Sequence, residues 1–102
     1  MVVATHSEDL AIERLAARCL RALITDVEQG RCIPEFGTAL NSKIRLYGTA
    51  RLEREVFLSA EESVTDSFGF WEFKVRPWAQ LDRDQQVLLL RTAAVSLERE
   101  DL

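Results

Sequence analysis

Ala50-Arg51-Leu52-Glu53-Arg54-Glu55-Val56-Phe57-Leu58 is the stretch on which the fold turns. Its first six residues suit a helix, because Ala, Arg, Leu and Glu give up little side-chain freedom there. Its pattern also suits a strand. Leu52, Val56 and Leu58 alternate with Arg51, Glu53 and Glu55, as on a half-buried sheet. Read as a helix, the stretch completes an all-α bundle. Read as a strand, it needs a neighbour, because a lone strand leaves its backbone donors and acceptors unpaired.

A neighbour is available just downstream. Five of the eight aromatic residues fall within Phe68–Trp78. Over 69–76, Trp71, Phe73 and Val75 alternate with Phe70, Glu72, Lys74 and Arg76, a good strand pattern that Pro77 ends. Joined to 51–58 through Ser59–Ser67, it predicts a hairpin.

Helices flank this pair. Over 7–29, Ile12, Leu15, Ala16, Cys19, Leu23 and Val27 form one apolar stripe at helical spacing. Thr5-x-x-Glu8 reads as a capping box there, with Ser7 as a competing cap, and Gly30 supplies the stop. Over 34–47, Pro34 suits the first helical position. Phe36, Ala39, Leu40, Lys43, Ile44 and Tyr47 keep the helical period, although Lys43–Thr49 has a rival strand reading. Over 82–99, Asp82-x-x-Gln85 forms a capping box, and Val87, Leu90, Ala94 and Leu97 line one face. Leu88, Leu89, Ala93 and Val95 widen that face, which places this helix either deep in a core or in a partner interface. The expected fold is a helix-rich α+β domain, α–α–β–β–α, with a small antiparallel sheet. The all-α bundle is the alternative. Residues 1–102 form one domain, with 1–6 expected to be flexible.

The residues that make chemistry easy are scarce. The only histidine, His6, precedes the first helix, and the two cysteines, Cys19 and Cys32, do not form a zinc spacing. The paired carboxylates Glu53/Glu55, Glu61/Glu62 and Asp82/Asp84 are adjacent in polar segments, not set apart in two environments as acid–base work requires. No enzymatic activity, metal or cofactor is expected. The net charge of −4 disfavours a nucleic-acid partner. The first residues lack the basic region and long apolar run of a signal peptide, and no apolar segment is long enough to span a membrane. A cytoplasmic location is expected.

A small non-enzymatic protein-binding module is the reading these features favour, of inhibitor, immunity, anti-defence or adaptor type, acting by stoichiometric binding. Its candidate contacts are Phe70, Arg76 and Trp78, since Trp beside Arg is the composition of a binding hot spot. Lys43, Arg45, Arg51 and Arg54 add a basic cluster, whose plainer reading is a solvated face beside Glu53 and Glu55. Trp78 also has a plainer reading, as a staple holding the approach to the last helix. The alternative function is a structural subunit or homodimer assembled through the C-terminal helix.

Overall fold

A computed structural model describes residues 2–31, 33, 35–47, 53–68 and 78–99. These residues form four helices: α1 (Val2–Glu28), α2 (Phe36–Tyr47), α3 (Glu53–Phe68) and α4 (Arg83–Arg99). A single 3₁₀ turn, Trp78–Gln80, precedes α4. The chain is an all-helical bundle, and no strand occurs among the described residues. The α+β expectation is therefore overturned. Residues 53–58, read as the first strand of a hairpin, open α3 instead. The second expected strand, 69–76, lies outside the described residues.

The reason is visible in what α3 buries. Val56, Ala60 and Val64 are fully buried, spaced by four, so one face of a helix meets the core. Leu58, which the alternation places beside Val56, is exposed. The period-2 pattern ended at Leu58, whereas the burial pattern runs on through the segment read as a loop. Glu53 and Glu55 lie in the first turn of α3, where the helix dipole favours acids.

The spine of the bundle is α1. It packs along α4 over the greatest length and also touches α2 and α3, while α3 packs on α4. Its buried residues Ala16, Ala17, Cys19, Leu20, Leu23, Ile24 and Val27 meet Phe36, Leu40 and Ile44 of α2 and Leu89, Leu90, Ala93, Ala94 and Leu97 of α4. Small residues line part of this seam and let the helices approach closely. The helix begins at Val2, so Thr5, Ser7 and Glu8 fall within it and not at its start as expected. No glycine or proline interrupts Val2–Ser7, so nothing in the sequence stops the helix before that point.

The end of α1 is closed as the sequence suggests. Gly30 adopts φ 85°, the left-handed region that a side chain rarely enters. The Gly30 amide donates to the Val27 carbonyl at 3.0 Å, and the Arg31 amide to the Asp26 carbonyl at 2.9 Å. Together they make a Schellman closure of the helix. The start of α4 is equally well defined. The Gln85 amide donates to Asp82 Oδ1 at 2.8 Å, and the Asp82 amide donates back to Gln85 Oε1 at 3.1 Å. This is the reciprocal capping box read at those residues.

Candidate protein-binding surface

Two neighbouring corners of the molecule are chemically closed, and one face beside them is open. The first closed corner is built round Trp78. The residue is 6% exposed, with its indole Nε1 donating to the Ile33 carbonyl at 2.9 Å. Its ring lies 5.2 Å from that of Phe36, at 47°. Its own carbonyl accepts from the Leu81 amide and from Gln86 Nε2, both at 3.1 Å. Trp78 thus ties the chain ahead of α2 to the start of α4. Of the two readings given to Trp78, its burial agrees with the staple and leaves little surface for a partner.

The second closed corner joins α1 to α2. Asp26 Oδ2 lies 2.7 Å from Lys43 Nζ, and Oδ1 accepts from Arg31 Nη1 at 2.6 Å. The Asp26 side chain is 14% exposed. The Lys43 hydrogen bond, helped by Arg31 and opposed by burial, holds the Asp26 carboxyl below the ordinary aspartate value of 3.8. Beside the triad is a cleft of about 500 Å³, lined by Ile33, Glu35, Thr38, Ala39 and Ser42 as well. Its Glu35 carboxylate accepts from the Thr38 hydroxyl at 3.0 Å. These charges hold helices in place.

The open face belongs to α4 and the last turns of α1. Leu88 is 59% exposed and Val95 37% exposed. Seven residues apart, they stand within about 20° of each other round the helix axis and about 10 Å apart along it. Arg91 and Thr92 lie between them, both exposed. A groove of about 490 Å³ runs beside Leu88, floored by Val87 and rimmed by Glu28, Arg83, Asp84 and Arg91. Across the α1–α4 seam, Arg91 Nη2 donates to Glu28 Oε2 at 3.2 Å, and Arg21 grips Glu98 through two bonds of 3.2 and 2.7 Å. Such exposed pairs stabilise little, but they fix the direction of the charged rim.

The expected contact residues fall in different places. Arg45 is exposed on α2, its Nε 3.7 Å from Glu53 Oε1 at the start of α3. Arg54 is exposed on α3. Arg51, Phe70 and Arg76 lie outside the described residues. Lys43, counted with the basic cluster, turns inward to Asp26. Leu88 and Val95 were not singled out as contacts, although the apolar girth of the last helix carried the signal. Asp26 had no sequence signal beyond an acid near a helix end followed by Arg31.

Among the described residues no group of His, Cys, Asp and Glu side chains could hold a metal ion, and no helix is long and apolar enough to cross a membrane. No family model, curated protein or solved structure matches the chain.

Proposed function

We propose that the chain is a small protein-binding module that acts by holding another polypeptide on the α1–α4 face, without chemistry of its own. The observation that carries this reading is the exposure of Leu88 at 59% on a helix whose other side is core. A leucine more than half exposed next to a groove and a charged rim resembles the centre and edge of a protein interface in miniature. Inhibitors, immunity proteins, anti-defence proteins and adaptors act through such faces, and the small size of the chain suits any of them. The location that goes with this reading is the cytoplasm.

The test uses the full chain as bait in extract of its native cell, beside Leu88→Asp. A charge at Leu88 is expected to abolish capture of a stoichiometric partner and to leave the melting temperature unchanged. Equal capture by both proteins would move the binding surface elsewhere, with Arg45 and Arg54 the next residues to change.

A further inference from the structure

We infer that the cleft beside Asp26 binds a short free peptide of two or three residues, its carboxylate on Arg31 and Lys43 and its ammonium on Glu35. The cleft shares no lining residue with the groove of the α1–α4 face, so it is a second site. At about 500 Å³ it falls within the range of small-molecule sites, roughly 300–1,000 Å³. Ile33 lies between Arg31 and Glu35 in the chain, and Ala39 between Glu35 and Lys43. Ile33 is buried and Ala39 half-buried, so an apolar wall separates the charged ends.

Those ends select the ligand. Asp26 takes one contact from Arg31 and one from Lys43. It offsets one of the two positive charges and leaves most donors of the guanidinium and the ammonium unspent within the chain. One net positive charge suits a carboxylate better than a doubly charged phosphate. Glu35 forms the opposite end. Its Oε2 accepts from the Thr38 hydroxyl, and neither base comes within ion-pair distance of it. A simple anion would face Glu35, and a simple cation would face the two bases. A molecule carrying both charges, correctly spaced, meets neither repulsion.

Helix geometry sets the spacing. The Glu35 carbonyl accepts from the Ala39 amide, so the helical course already holds at Glu35. Lys43 lies eight residues further on, about 12 Å of helix rise away. A helical side chain leans toward the N-terminus, so the Lys43 ammonium shortens that span. Extended peptide covers about 3.3–3.6 Å per residue, so two or three residues reach from one end to the other. A single amino acid is too short to meet both.

Titration calorimetry of the full chain with alanyl-leucyl-alanine up to about 10 mM covers millimolar binding and tighter. Saturable one-to-one binding is expected. Amidating the peptide carboxylate, or acetylating its amine, is expected to weaken binding about tenfold, as loss of a charged hydrogen bond does. Arg31→Gln is expected to weaken the free peptide by a similar factor and to leave the amidated one unaffected. Glu35→Gln is expected to weaken the free peptide and to spare the acetylated one. No saturable heat up to the highest concentration overturns the inference, as does a blocked peptide that binds the parent as tightly as the free one. Undiminished binding by Arg31→Gln and Glu35→Gln would place the peptide outside the cleft and overturn it equally. Leu88→Asp is expected to bind the peptide like the parent, so failure at this cleft leaves the reading of the α1–α4 face standing.

Discussion

The Trp78 corner leads into α4 and the Leu88–Val95 face runs along it, and they are finished to different degrees. At the corner the indole nitrogen and the Trp78 carbonyl both have partners, and the ring packs in the core against Phe36. At the face two aliphatic side chains stand in water, and the nearby charges pair only across an exposed seam. Stability is concentrated in the first region, because burial and satisfied hydrogen bonds contribute most where water is excluded. The second region contributes little to folding and is free to meet something else.

That contrast can be broken most severely at the corner. Trp78→Ala is expected to cost about 3–5 kcal/mol, since it leaves a large cavity and orphans the buried Ile33 carbonyl. Urea unfolding monitored by circular dichroism measures it, and a loss near zero would mean that the corner can re-close without the ring. Leu90→Ala, at a fully buried site on the core side of α4, is expected to cost about 2–4 kcal/mol. The same unfolding curves place it just below Trp78. Asp82→Ala removes one half of the capping box and is expected to cost about 1 kcal/mol.

Asp26 tests the second closed corner through pH. Its folded carboxyl titrates below 3.8, so the unfolded chain takes up the proton first as the solution is acidified. The stabilisation is complete above the unfolded value and is lost as pH falls through the lower folded value. Asp26→Asn is expected to flatten the acid limb of stability measured from about pH 6 to about pH 2. An unchanged acid limb would assign the slope to other carboxylates. The smallest effect is expected on the open face, where Leu88→Asp should leave the urea midpoint in place. A marked loss there would show that Leu88 is part of the core and would erase the contrast.

The sequence made some of these features readable and hid others for physical reasons. The Asp82–Gln85 box and the Gly30 stop are local devices, complete within a few residues, and both stand where the sequence places them. The helical stripes of α1 and α2 were readable because they repeat over several turns. The start of α3 was misread because a short apolar run satisfies two periods at once. Val56 and Leu58 fit a strand, Val56 and Ala60 fit a helix, and only Val64 breaks the tie in favour of four-residue spacing. Alanine hides that signal, because Ala60 looks neutral until its burial is seen. The role of Trp78 was readable as one of two outcomes, and its acceptor, the Ile33 carbonyl 45 residues away, is a tertiary fact that local pattern does not contain. Leu88 was visible as part of an over-wide apolar helix, yet which of those leucines faces water is decided by where α1 and α3 lie.

Cys19 has a use that follows from its place in the spine. Its thiol is 0% exposed, and burial pushes its pKa up to about 11. Near pH 8 only about one thiol in a thousand is ionised, and alkylating reagents cannot reach even that fraction while α1 stays docked. Attack on Cys19 therefore waits for α1 to part from its neighbours. In a Cys32→Ser background, the rate of labelling becomes a stopwatch on that opening, read in native buffer without denaturant. Because α1 touches every other helix, the event being timed is separation of the whole bundle.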